Sequence, residues 1–381
     1  MRVETVDSLY VHAPFCSRRC YYCDFAVKVG SSSDSDLWSR AIAGELQAIH
    51  EEQVFRISSS LKTLYVGGGT PSLLSDDSMV KLAGIVGIER LRRKDLEWTC
   101  EANPESFDKD KASAWIRAGV NRISLGLQTF QGPSLRWMGR LHGVKQSHEA
   151  VKIAREVGFS NVSVDVIIGL PPSLKRDLRK DFEELLSLEV DHVSLYGLTV
   201  ENGTPLGRAV LEGKQDIIPD SQYREEYLFA VDWLESHGYR SYEISNFAQP
   251  GKKSKHNANY WSGKPYLGLG NGAHSYLYPI RRWNIRNWDG YCKKALEHSL
   301  PLENQENIDN EEHRLEYLWL GLRTKTGLRV GDFTVGVQER FASWTRDGLA
   351  VERDGNICLT PKGWLIMDHL TLELEEQLTD T

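Results

Sequence analysis

The sequence predicts an α/β fold, a partial (βα)6 TIM-like barrel followed by a small C-terminal winged-helix-like domain. Three observations predict it. Between Ser8 and about Val200, six short β-branched runs alternate with amphipathic segments, the pattern of parallel strands joined by crossover helices. Six such units fill only about 190 residues, whereas a closed eight-unit barrel takes about 250. After about Pro205 the alternation stops, and the far end of the chain combines helical patterns with a single hairpin signal.

The strands expected are Leu9–His12, Thr63–Val66, Glu97–Glu101, Arg122–Leu127, Ser163–Ile168 and Val193–Leu198. The segments between them carry helical spacing. Trp38, Ala41, Ile42 and Ile49 fall on one face, as do Met79, Val80, Ala83 and Val86. Ala112, Trp115 and Ile116 precede Gly119, and Ala150, Ala154 and Val157 precede Gly158, a residue suited to the left-handed stop of a helix. Leu178, Phe182, Leu185 and Leu186 complete the series.

Beyond the barrel, the polar stretch Gly213–Ser221 leads to a helix around Tyr223–Ser236, and Tyr242–Asn246 reads as one short strand. The loop Gln249–Lys255 and the aromatic segment His256–Trp261 follow. Gly268-Leu-Gly270-Asn-Gly272-Ala-His274 has neither the spacing nor the βαβ frame of a dinucleotide fingerprint. Leu315, Leu318, Leu320 and Leu322 mark a helix, and Leu349–Glu352 turns through Asp354-Gly355 into Ile357–Leu359. The expected domains are residues 1–205 for the barrel with its metal site, 206–305 for a barrel extension, and 306–381 for the winged-helix-like end.

Composition sets limits on function. The 381 residues carry a net charge of −7 and are 40% hydrophobic, enough for a full core and no basis for attracting nucleic acid or an anionic membrane surface. The acidic tail Thr371–Thr381 also argues against the DNA binding common among winged helices. Met1–Asp7 lacks the basic start and apolar run of a secretory signal, and no apolar stretch approaches about 18 residues. Cys100, Cys292 and Cys358 are scattered, which suits a reducing compartment. The expected location is the cytoplasm, or an organelle if a transit peptide has been removed.

The chemistry concentrates at Cys16-Ser-Arg-Arg-Cys20-Tyr-Tyr-Cys23, directly after the first strand. An odd number of thiols in so short a span argues against disulfides. A structural zinc needs four ligands, and the nearby candidate for the fourth is His12. An iron–sulfur cluster is the other option, in which three thiolates leave one iron open to a small molecule. Further unusual residues stand at the ends of successive strands: Gly67-Gly68-Gly69-Thr70-Pro71, Glu101-Ala-Asn103, Gly126-Leu-Gln128-Thr129, and Asp165 through Gly169-Leu-Pro171. Gly and Pro commonly just turn a chain, but four motifs phased to the end where such folds build their sites point to function.

Together these residues resemble the radical S-adenosylmethionine (SAM) superfamily over nearly the whole chain, and the barrel is then of the radical SAM type. Glu101, Gln128-Thr129, Arg140-Leu-His142 and Asp165 through Pro171 are similar to the branch containing oxygen-independent coproporphyrinogen III oxidase and the HemW-type haem chaperones. The resemblance implies a [4Fe-4S] cluster on Cys16, Cys20 and Cys23, whose open iron chelates S-adenosyl-L-methionine and cleaves it to a 5′-deoxyadenosyl radical. It implies that Tyr10, Gly68 and Glu101 contact that SAM, and that Tyr22, Gly69, Thr70, Gln128, Arg140 and Asp165 match residues lining a second SAM in the oxidase branch. For Tyr22 the bland alternative is shielding of the metal; for the glycines it is turning of the chain.

Oxidases of this branch carry C-x3-C-x2-C-x-C, whereas here Cys23-Asp24-Phe25 lacks the fourth cysteine and only fifteen residues precede Cys16. Both departures point to the HemW type. His256-Asn-Ala-Asn-Tyr260-Trp261 fits that family's H-N-x-x-Y-W pattern and makes His256, Tyr260 and Trp261 candidates for haem. Lys252, Lys253 and Lys255 would then meet the propionates or form a solvated loop. The expected function is that of a haem chaperone which binds haem, passes it to an acceptor protein and draws on an electron donor. The alternatives are a coproporphyrinogen III dehydrogenase-like oxidoreductase and a structural zinc protein.

Overall fold

The computed structural model describes residues 4–30 and 34–379. The first three residues of the Met1–Asp7 stretch and the last two of the acidic tail lie outside them. Six parallel strands, β1 (Ser8–Ala13), β2 (Thr63–Gly68), β3 (Glu97–Ala102), β4 (Arg122–Gln128), β5 (Val162–Ile168) and β6 (His192–Gly197), pair in chain order. They match the expected runs to within one or two residues. Each is buried on both sides, which is why they read as near-continuous apolar runs.

Both edges are extended by later segments. Strands β7 (Arg240–Glu243) and β8 (Asn246–Ala248) form a hairpin that adds antiparallel to β6, and β9 (Leu267–Leu269) adds parallel to β1. The stretch expected as one strand over Tyr242–Asn246 is therefore two, broken by a turn at Ile244-Ser245. Glu243 holds that turn, accepting bonds from Ser245 N (2.9 Å) and Asn246 Nδ2 (2.5 Å) while Arg323 pairs with its other oxygen at 2.8 Å.

The helices lie outside the sheet. Helix Ser35–Glu52 buries Trp38, Ala41, Ile42 and Ile49, and the Trp38 indole donates to the His12 carbonyl (2.9 Å). In Ser78–Val86 the inward residues are Met79, Leu82, Ala83 and Val86 at i, i+3, i+4 and i+7, whereas Val80 is 55% exposed, contrary to expectation. Gly119 and Gly158 stop their helices at φ of 112° and 108°. A three-stranded sheet of β10 (His274–Leu277), β11 (Ile280–Asn284) and β12 (Leu302–Asn307) packs beside β9. At the C-terminal end, hairpin Ala350–Arg353 with Asn356–Leu359 is joined by Leu328–Arg329, and helices Asn310–Arg323, Val335–Arg346 and Met367–Thr379 pack around it. Among the described residues no helix is long and apolar enough to cross a membrane.

One buried carboxylate ties the extension to the barrel. Glu45 accepts from Gly270 N (2.8 Å), the Tyr291 hydroxyl (2.6 Å) and Asn284 Nδ2 (2.5 Å), and burial pushes its carboxyl up to about 7. Each buried donor left unpaired costs about 1–3 kcal/mol. Glu45→Ala should therefore destabilise the protein by about 3 kcal/mol or more, read as a lower denaturant midpoint at unchanged slope.

Candidate functional site

The three cysteines sit on a loop pinched at its base. Phe15–Cys16 pairs with Lys28–Val29, Lys28 N donates to Pro14 O (2.9 Å) and Gly30 N to Cys16 O (3.2 Å). Further in, Tyr21 N donates to Met138 O (3.1 Å) and Leu206 N to Tyr21 O (2.9 Å). The loop caps the C-terminal strand ends, where Cys16, Cys20 and Cys23 line a cavity of about 1010 Å³, at the upper end of ligand pockets. All three are free thiols. Burial pushes Cys16 up to about 11 and raises Cys23 as well, so both stay neutral unless a cation is supplied. Among the described residues no three His, Cys, Asp or Glu side chains meet as the ligands of one metal ion.

His12 is committed elsewhere. Its Nε2 donates to Ala26 O (3.0 Å), so its Nδ1 accepts from the Tyr10 hydroxyl (2.9 Å), and burial lowers its pKa to about 4. With both nitrogens used, the zinc reading loses its fourth ligand, and His12 instead anchors the residues that follow Cys23. Sequence reasoning missed this role because nothing in the local pattern marks it.

Gly67-Gly68-Gly69 runs across the end of β1, with Gly69 N donating to Ala13 O (2.8 Å). Gly68 sits at φ 110°, and a Cβ there would lie 2.2 Å from the His12 ring; one on Gly69 would lie 2.7 Å from Pro14 O. The glycines are thus required by packing within the protein as well as lining the cavity. Glu101 accepts from the Tyr65 hydroxyl (2.7 Å) and Gly68 N (3.0 Å). Burial foremost, then the Tyr65 bond and the Asp165 charge, set its carboxyl at about 7, well above the usual range.

Opposite stands a second polar group. Arg140 follows helix Gly132–Met138, which the sequence reading did not anticipate, and donates to Asn103 Oδ1 (2.5 Å), Gly126 O (2.8 Å) and weakly to Cys20 Sγ (3.7 Å). Its Nε is buried without a partner. Asn103 also donates to Thr70 Oγ1 (3.1 Å), which lies 3.6 Å from Cys16 Sγ. Asp165 accepts from Ser124 Oγ (3.2 Å), and burial raises its pKa. Gln128 adopts φ 68° at a bulge in β4, the sort of backbone strain that collects at sites. Its neighbour Thr129 is turned away, bonded to Asp181 (2.6 Å). Tyr22 lines the cavity and also packs on Leu135, Met138, Ile167 and Leu170.

Comparison with known proteins fits this geometry. The radical SAM superfamily profile matches residues 10–185. Proteins named heme chaperone HemW are 36% identical over 95% of this chain and 97% of theirs in Bacillus subtilis, and 32% over 96% and 94% in Mycobacterium tuberculosis H37Rv. The chain belongs to the HemW family of the radical SAM superfamily. A mitochondrial radical S-adenosyl methionine domain-containing protein 1 of Bos taurus is 31% identical over 95% of this chain and 82% of its own. In fold, the HemW-type chain matches coproporphyrinogen III oxidase HemN of Escherichia coli with a TM-score of 0.77, at 20% identity, over 96% of this chain and 89% of that one.

The H-N-x-x-Y-W segment of this HemW-type chain forms helix Lys255–Trp261 at the other end of the barrel. His256 is 1% exposed and stacks on Tyr65. Its Nδ1 bonds to Thr63 Oγ1 (2.8 Å) and Ser8 Oγ (3.1 Å), and its Nε2 to the Tyr260 hydroxyl (2.8 Å). In this arrangement it offers no free nitrogen to iron. Tyr260 and Trp261 do reach the cavity. The lysines before them serve the N-terminal strand ends: Lys252 pairs with Asp191 (3.4 Å), Lys253 lies over the Tyr242 ring, and Lys255 donates to Asp95 O (2.8 Å).

The contact between Gly68 and His12 makes a direct prediction. Gly68→Ala should destabilise the protein by about 2 kcal/mol or more, because an added methyl collides with a packed ring at a strained φ. Thermal unfolding checks the loss.

Proposed function

We propose that this chain is a haem chaperone on a radical SAM scaffold. It holds one [4Fe-4S] cluster through Cys16, Cys20 and Cys23, binds SAM beside it, and passes haem to an acceptor protein. The observation that carries the reading is the single cavity, with three thiols at one end and aromatic side chains of residues 260–276 at the other, in a chain similar to HemW proteins along its length. The barrel of residues 1–205 would supply the cluster and SAM contacts, residues 206–305 the aromatic wall, and 306–381 the packing behind it. An organellar setting accords with the mitochondrial relative of Bos taurus.

When bound, the cluster supplies the electron for SAM cleavage. The chain's own contributions are positional. Tyr10, Gly68 and Glu101 would contact the SAM on the cluster; Tyr22, Gly69, Thr70, Gln128, Arg140 and Asp165 line the same cavity, where the carboxylate of a second SAM or another anionic group would satisfy the orphan Arg140 Nε. The cluster loop admits an external electron donor from the solvent side, since Ser17, Arg18 and Arg19 are exposed.

A second reading, coproporphyrinogen III dehydrogenation, is favoured by the fold shared with HemN. Anaerobic incubation of the reconstituted protein with coproporphyrinogen, SAM and reductant separates the two. We expect no protoporphyrinogen and tight haem binding; protoporphyrinogen formation would overturn the chaperone-only reading. In the same preparations Cys20→Ser should lose the brown chromophore and most of its iron and sulfide.

Glu101 supplies a pH test. Its folded carboxyl titrates at about 7, and a SAM ammonium beside it favours the charged form, so binding releases a proton. SAM affinity should rise from pH 6 to 8, by up to about tenfold per unit below the titration point. Glu101→Gln should bind more weakly and with a flat pH profile, measured by calorimetry in buffers of differing ionisation heat.

A further inference from the structure

The cavity has a wall that the cluster and SAM leave unused. It is built on the β10–β11 hairpin, whose register sets His274 opposite Trp283 and Tyr276 opposite Arg281. Strand alternation puts these four on one face and turns Ser275 and Arg282 to the buried side. His274, Tyr276 and Arg281 line the cavity, and the aromatic surface continues through neighbouring rings, with Tyr276 6.2 Å from Tyr266 and Tyr266 4.6 Å from Tyr260.

Two histidines line this cavity, His12 and His274. They differ in what their nitrogens do. Both nitrogens of His12 are hydrogen-bonded, as are those of the buried His142, His192 and His256. His274 is exposed to the cavity, and among the described residues neither ring nitrogen has a hydrogen-bond partner. Its plane is fixed all the same, stacked at 20° on Trp283 with centroids 5.6 Å apart. Burial, then the Arg281 and Arg286 charges, lower its pKa, which keeps the imidazole neutral and its lone pair available.

The charges nearby suit an anionic ligand. Arg281 is held between Glu306 and Glu316 and is spoken for. Arg286 is half-exposed and donates from Nη2 to Asp24 O (2.6 Å), with the Asp24 carboxylate 3.6 Å away, and Lys264 is exposed with no ion pair among the described residues. An aromatic wall, one oriented neutral imidazole and the cations of Lys264 and Arg286 at its rim suit an iron porphyrin with carboxylate side chains.

We infer that His274 is the iron ligand of a haem laid against this wall, with Lys264 and Arg286 supplying charge for its carboxylates. Ligation is a donation of the imidazole lone pair to iron with displacement of a water, and no other bond changes. The inference rests on the haem-chaperone reading, and moves the ligand from the H-N-x-x-Y-W helix to β10.

The test is titration of ferric haem into the full-length protein, following the Soret band and the electron paramagnetic resonance signal. Wild type should show an imidazole-ligated spectrum. His274→Ala should lose that spectrum and bind haem at least about tenfold more weakly, the scale on which metal sites respond even to lost outer partners. Added imidazole should restore the spectrum, and His274→Met, which keeps a ligand of similar bulk, should shift it. His256→Ala should keep the wild-type spectrum if folded. An unchanged spectrum and affinity in both His274 variants would overturn the inference while leaving the chaperone reading intact. Failure of the wild type to bind haem would overturn both.

Discussion

The site depends on one buried, neutral imidazole. His12 stands at the end of β1 where four separate parts of the chain meet it, through two glycines, one backbone carbonyl and one indole. Gly68 lies flat against its ring, Gly270 against its Cβ and backbone, Ala26 accepts from its Nε2, and Trp38 from the first helix bonds its carbonyl. These contacts fix the glycine run, the later Gly268–Gly272 turn and the base of the cysteine loop relative to each other. Because burial lowers its pKa to about 4, the ring is neutral near pH 7, and the hydrogen-bond directions follow: Tyr10 donates, Ala26 accepts. A side chain without charge or redox chemistry of its own thereby sets where the thiols stand.

This gives a physical account of why the conspicuous motifs look as they do. The triple glycine and the later Gly-Asn-Gly are both negative images of His12 and its neighbours, and Glu45 secures the second of them through the Gly270 amide. The barrel stays open because β9 covers β1 only at three residues and the β7–β8 hairpin turns back antiparallel on β6. The gap between those edges is where the cavity acquires its second, aromatic wall.

Most of the barrel was legible in the sequence because a strand buried on both faces writes itself as a β-branched run, and its C-terminal end as a break in that run. Position within a helix was less legible: Val80 and Met79 are both apolar, and only packing shows that Leu82, not Val80, faces inward. The cysteines and the strand-end polar residues were found because they sit at the ends of counted elements. Roles set by contacts between distant segments were not. His12, the Asn103 bridge between Thr70 and Arg140, and the diversion of Thr129 to Asp181 depend on partners 14 to 54 positions away. The same limit applies to His256, whose local pattern is suggestive but whose bonding is decided by Ser8 and Thr63.

The floor of the cavity explains why this interior is a site and not simply a core. Barrel interiors are ordinarily filled by branched apolar layers. Here the layer contains Glu101 and Asp165, each partly buried, with Asp165 raising the Glu101 pKa, the buried Arg122 lowering those of both acids and Arg140 lowering that of Asp165. Arg122 and Arg140 each leave Nε without a partner. Buried charges of this kind rarely repay their desolvation in stability, since apolar side chains of the same volume would do as well or better. A chain whose folding alone was at stake would not keep them. Burial raises both acids, Glu101 to about 7, beside an Arg140 Nε without a partner, an environment suited to a ligand that carries both a cationic and an anionic group. An amino acid moiety has both, and its arrival would ionise Glu101 and give the Arg140 Nε a partner in one event. A ligand of that kind would offset part of the cost of the charged layer, which would couple occupancy of the cavity to the stability of the barrel around it.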